Sequence, residues 1–241
     1  MSATGNNAES FARLSAELLA TRDEAVTVQT LVERSLTLVP EIDHASMTVP
    51  DRKRARTLAS TSDVAARCDA LQYQLNEGPC VEALVDHEWY RSGDVAHDPR
   101  WPRWGPRAAA EGVGSLVSVR LAIGEHPIGA LNLYSNTTGG FADTDALDVV
   151  FLYALHAAAA MNAAKELAGL QTAMQHRHTI GVAQGILVER YNISLERSFD
   201  LLRRYSSTHN LKLRDVAAYV VEHRSLPESE RERLDLTSSS D

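Results

Sequence analysis

Apolar residues recur along this chain with two different periods. Near its C-terminal end, Ile180, Ala183, Leu187 and Tyr191 fall at three- and four-residue intervals, which puts them on one helix face. Asn192 follows, and Ser194 stands as an N-cap before Leu195-Glu196-Arg197. Phe199, Leu202 and Tyr205 make the next stripe, and Ser206-Ser207-Thr208-His209-Asn210 breaks it. Leu213, Val216, Ala217 and Val220 make a third, entered tightly through Leu211-Lys212-Leu213-Arg214-Asp215. Helices this short are marginal alone, so the pattern predicts three helices packed on one another, with Tyr191 and Phe199 in their core.

The period of two dominates elsewhere. Val117, Val119, Leu121 and Ile123 alternate with Ser118, Arg120 and Ala122, the signature of a half-buried strand. A second strand is predicted over residues 128–135, joined through Gly124-Glu125-His126-Pro127 as an antiparallel hairpin. Shorter strand candidates cover residues 45–49 and 57–60. An opening helix is predicted over residues 11–38, with Leu14, Leu18, Val28, Leu31 and Val32 in its stripe. It has a break near Thr21-Arg22-Asp23, and Pro40 ends it. Helix, strands and a closing helix in that order predict an α+β fold, an antiparallel sheet flanked by helices.

Residues 145–190 read as one nearly continuous helix. Ala160, Ala163, Leu167, Leu170 and Met174 keep three-four spacing, the seam of a coiled coil, and the alanines at 157–160 permit close approach. The expectation is that the first half packs on the sheet and the second half pairs with another subunit, giving a homodimer through the connecting helix. Beyond residue 224, Pro227, alternating charges and Ser238-Ser239-Ser240 predict a disordered tail over residues 225–241, with a helical fragment near 228–234.

Composition narrows the class. A length of 241 residues suits one or two domains, and 44% hydrophobic with 23% charged residues is that of a soluble globular protein. No apolar run is read as reaching spanning length, and the opening MSATGNNAES lacks a basic region and an apolar segment. The expectation is therefore no signal peptide, no membrane span and a cytoplasmic protein. Cys68 and Cys80 are not spaced for a metal, and a reduced pair is expected. No nucleophile–base constellation, phosphate loop or metal-ligand spacing emerges, so neither an enzyme nor a cofactor is expected.

Charge is unevenly spread. Residues 171–224 hold eight Lys/Arg against five Asp/Glu, a surplus of three positive charges, within a chain of net charge −8. Clustered cations reward phosphate contact, although a charged helix face is also ordinary. Arg190, Arg203, Arg204, Lys212 and Arg214 are candidates to pair with phosphates or stack on unpaired bases, and Gln184, His209 and Asn210 to bond base edges. Gly185, in mid-helix, disfavours the helix by about 1 kcal/mol against Ala. Either a nucleic acid or a neighbouring helix coming close would offset that.

The run Ile180-x-x-Ala183-x-Gly185-Ile186-Leu187, with Arg190, Ser198-Phe199, Leu201-Leu202-Arg203, Asn210-x-Lys212-Leu213 and Asp215-Val216-Ala217, resembles the ANTAR domain. That family is a three-helix RNA-binding module of bacterial transcription antiterminators. The resemblance covers most of residues 167–223, with Val188 where the family usually has Met and Ser198 where it usually has Ala. It implies a module over 166–223 that binds paired RNA hairpins.

The N-terminal part resembles a GAF domain, a small-molecule-sensing or interaction module. Asn76-Glu77-Gly78-Pro79-Cys80-Val81-Glu82-Ala83, Asp94 with Pro99-Arg100-Trp101-Pro102, Gly112-Val113-Gly114-Ser115, and Ile128-Gly129-Ala130-Leu131-Asn132-Leu133-Tyr134-Ser135 carry that resemblance over residues 8–165. Together the two look like the GAF–ANTAR regulators of actinobacteria. A sensor pocket would lie between the sheet and residues 75–104, and a small-molecule ligand is a candidate partner. Cys80, as a redox site or a buried small residue, Trp101, as a wall or a loop anchor, and Asn132, bonding a ligand or the backbone, are its candidate residues. A ligand- or redox-sensing protein whose helical end binds another protein is the competing reading.

Overall fold

A computed structural model describes residues 24–51, 54–86 and 88–227. The chain divides into two compact units, residues 1–168 and 169–241. The first half of the expected opening helix, with Leu14 and Leu18, lies outside the described residues. Its second half is α1, Glu24–Ser35, which ends before Leu38 in a turn where Leu36, Thr37 and Leu38 bond back to carbonyls three residues earlier.

Unit one is a five-stranded antiparallel sheet between two helical layers. The strands β1 (His44–Asp51), β2 (Arg54–Ser60), β3 (Trp89–Ser92), β4 (Ser115–Ile123) and β5 (His126–Ser135) lie in the order β2-β1-β5-β4-β3. The hairpin is tighter than its sequence suggested: β5 begins at His126, and Gly124 takes φ 59 in the link, the positive φ a two-residue turn needs.

Alternation splits the sheet's side chains between two cores. Val117, Val119, Leu121, Leu131 and Leu133 meet α1 and the first half of the long helix α5, Thr144–Tyr191. Leu116, Ala130 and Tyr134 meet α2 (Asp63–Leu75), α3 (Pro79–Ala83) and α4 (Gly105–Ala110). β4 is therefore buried on both faces at its start, Ser118 included, and not half-buried as its alternation predicted.

On α5, Val150, Tyr153, Ala154, Ala157, Ala158 and Met161 are buried against the sheet, and the Tyr153 hydroxyl donates to the Leu31 carbonyl at 2.6 Å. By length and composition the stretch Ala146–Tyr191 is apolar enough to cross a bilayer, with a hydropathy of 1.4 in its most apolar window. That corrects the expectation that no segment reaches spanning length. Much of its apolar surface is already spent on the sheet, as in the core helix of a globular domain.

In unit two the end of α5 packs with α6 (Leu195–His209) and α7 (Leu213–His223). Ala183, Leu187, Leu202, Leu211, Val216, Ala217 and Val220 form its core. Ser194 caps α6 by accepting from the Arg197 N–H at 3.2 Å. The predicted polar break is helical as far as His209, and Asn210 ends the helix at φ 52. At the start of the tail, Leu226 packs on the core and the Pro227 carbonyl accepts from the Tyr205 hydroxyl at 2.5 Å. Residues 228–241 lie outside the described residues.

Candidate nucleic-acid interface and sensor core

Buried polar side chains cluster beneath the sheet, where the sensor pocket was expected. α2 presents Asp69 and Gln72, both fully buried, to the underside of the sheet. The Asp69 carboxylate accepts from Tyr134 Oη at 2.6 Å, from Thr57 Oγ1 at 2.8 Å and from Asn132 Nδ2 at 3.3 Å. Asn132 also donates to Thr48 and Ser46 and accepts from Ser118. Its partners are thus side chains, not the backbone. The Tyr73 hydroxyl bridges Thr48 and Thr57 at 2.9 Å each. Burial raises the Asp69 pKa to about 6, against the pull of the donors around it.

The motif 76–80 builds the wall of this cluster. Asn76 ends α2 in the left-handed conformation, φ 49. The Glu77 carboxylate accepts from the backbone N–H groups of Arg103 and Trp104 at 2.7 and 2.8 Å. Gly78 sits at φ 139, and a Cβ there would run into the Gln72 side chain. Gln72 in turn accepts from the Cys80 N–H at 2.8 Å.

Cys80 is fully buried, and burial pushes its thiol well above the ordinary range. The same cause lifts Cys68 to about 12. Both are the protonated thiols of a core, not thiolates. Trp101 donates to Glu82 at 2.9 Å and meets Trp104 edge-on at 5.9 Å between ring centroids. It anchors the loop. His44, beside Asp43, bonds Asn136 and Ser62 as a structural link. Among the described residues no group of three or more His, Cys, Asp or Glu could hold a metal ion.

In unit two the candidate RNA-contacting residues divide. Arg203, Arg204, Asn210 and Lys212 are exposed, with Arg203 paired to Asp200 at 3.4 Å. Arg214 is half-exposed and bonds Asp215 at 3.2 Å, and His209 lies against the Tyr205 ring at 4.4 Å. Two others also hold bonds within the module. Gln184 donates to the Leu195 carbonyl at 3.1 Å, tying the entry of α6 to α5. Arg190 donates to the Arg224 carbonyl at 3.1 Å, holding the end of α7.

Two expected core residues are on the surface: Tyr191 is 45% and Phe199 38% exposed. Ser198 takes the core position instead, fully buried and donating to the Leu195 carbonyl at 2.6 Å. Gly185 is exposed, and a Cβ there would meet nothing within 4 Å. Helix packing inside the module therefore does not explain it.

Sequence reasoning missed Glu189 and Arg224. With Val182, Gly185, Ile186 and Arg190 they line a surface concavity of about 410 Å³. Glu189 follows the apolar run Ile186-Leu187-Val188 and Arg224 follows the end of α7, and only the packing of the module brings them together.

A GAF domain model matches residues 21–162, and an ANTAR domain model matches residues 168–221. No curated protein matches the chain. Among solved structures, the GAF domain of a phosphoenolpyruvate-protein phosphotransferase from Coxiella burnetii is 15% identical with a TM-score of 0.56, covering 70% of this chain and 99% of its own. The corresponding domain from Acinetobacter is 14% identical with a TM-score of 0.54, at the same two coverages. The free methionine-R-sulfoxide reductase from Neisseria meningitidis, solved with its substrate, is 14% identical with a TM-score of 0.54, covering 69% of this chain and 94% of its own. At such identities the likeness is one of fold. The GAF match spans more than half of the chain, and the chain belongs to the GAF domain family with an ANTAR domain after it, the GAF–ANTAR architecture.

Proposed function

We propose that this chain is a cytoplasmic RNA-binding antitermination regulator whose C-terminal module grips the loops of paired RNA hairpins. The observation that carries the reading is the coincidence of the ANTAR match with the surplus of positive charge at residues 171–224. Exposed Arg203, Arg204 and Lys212 offer phosphate contacts. Holding the hairpins blocks a competing terminator or alters ribosome access. The protein acts as a dimer through the second half of α5, where Leu170 and Met174 are 63% and 71% exposed. The GAF domain shifts the population of RNA-competent dimers, and its signal must bind two arrangements with different affinity.

The test is charge reversal. Arg203→Glu combined with Lys212→Glu abolishes RNA binding while far-UV circular dichroism stays unchanged. Unchanged affinity would remove these two cations from the interface. Exposed Tyr191, Leu195 and Phe199 favour one competing reading, a helical end that binds a protein. Binding with weak salt dependence and no hairpin preference would mark it.

A further inference from the structure

Two locally unfavourable choices meet at one place on unit two. Gly185 weakens the last turns of α5, where it sits six residues before the helix ends at Tyr191, and has open space where its side chain would be. Arg224 ends α7 at φ 58, a conformation that favours glycine or asparagine. Residues that break local rules without a packing gain are expected at functional positions. Both line the concavity of about 410 Å³ between α5 and the end of α7.

The chemistry of that concavity is mixed in a specific way. Val182, Gly185, Ile186, Glu189 and Arg190 recur at three- and four-residue intervals and share one face of α5. Val182, Gly185 and Ile186 give it an apolar surface with no side chain at its centre, open to a flat group. Glu189 contributes a carboxylate that only accepts hydrogen bonds. Arg190 donates to the Arg224 carbonyl at 3.1 Å, and both arginines line the concavity.

We infer that this concavity receives one unpaired RNA base bearing an exocyclic amine. The base lies against the Val182–Gly185–Ile186 surface, its amine donates to Glu189, and Arg190 and Arg224 face the flanking phosphates. A flat apolar surface suits a base face, an acceptor at its edge selects an N–H donor, and cations outside it match the backbone. The inference rests on the RNA-binding reading above.

The test uses the full chain, a synthetic two-hairpin RNA, and the same RNA with abasic loop positions. Gly185→Leu fills the concavity. It weakens binding of the intact RNA about tenfold or more, the range one stacked base supplies, and leaves affinity for the abasic RNA at the wild-type value. Gly185→Ala raises the melting temperature, because alanine favours the helix and its Cβ meets nothing, yet lowers affinity for the intact RNA. That opposition separates binding from folding. Glu189→Gln reduces preference for loops with an amine-bearing base over loops with uracil. Wild-type binding matched by Gly185→Leu on intact RNA would overturn the base site and leave the RNA reading standing. Absence of loop-dependent binding by the wild type would overturn the RNA reading itself, and the base site with it.

Discussion

Asp69 is a carboxylic acid held in the core of the GAF domain. Its carboxylate is fully buried, and its pKa is raised to about 6 by that burial. An acid whose pKa rises on folding weighs against the folded state when ionised. Stability therefore increases as pH falls from above 6 toward the unfolded value near 3.9. Two pKa units correspond to a gain on the order of 2–3 kcal/mol at most. Urea unfolding of the wild type should show a higher midpoint at pH 5 than at pH 7.5, and Asp69→Asn should flatten that difference. An equal slope in the variant would place the titration elsewhere. Gly78 gives a second residue-scale expectation. Its φ of 139 and the Gln72 side chain both exclude a Cβ, so Gly78→Ala should destabilise the GAF domain by about 1–3 kcal/mol, read from chemical denaturation followed by tryptophan fluorescence.

Elements show what was legible in the sequence and what was not. The β4–β5 hairpin stood out by its alternation, and α5 by three-four spacing kept in successive stretches. Helix α2 did not, because its buried face carries Asp69 and Gln72 among Ala65, Cys68 and Leu75, and a hydrophobic stripe cannot register buried polar groups. The same limit misplaced the core of α6. Phe199 is the more apolar residue, but Ser198 lies on the line with Leu202 that faces α5 and α7. The candidate cations were readable from charge alone. The concavity was not, because it joins residues 182–190 to residue 224 across the packed helices. Leu202→Ala should destabilise unit two by about 2–5 kcal/mol. Phe199→Ala, at a partly exposed site, should cost less than about 1 kcal/mol by the same thermal or urea melt. Equal losses would put Phe199 in the core after all.

At the scale of the whole molecule, one helix, α5, runs from the GAF domain into the ANTAR domain. Leu170→Glu with Met174→Glu places like charges on the exposed second half of α5. Analytical ultracentrifugation should find this variant monomeric where the wild type is dimeric, and a persisting dimer would move the interface off the helix. The central claim is RNA recognition, and its most direct test is the affinity of the full chain for a synthetic two-hairpin RNA against a loop-scrambled control, at two salt concentrations. Loop-dependent binding that weakens as salt rises is the predicted result. Equal affinity for both RNAs, or binding to neither, would contradict it.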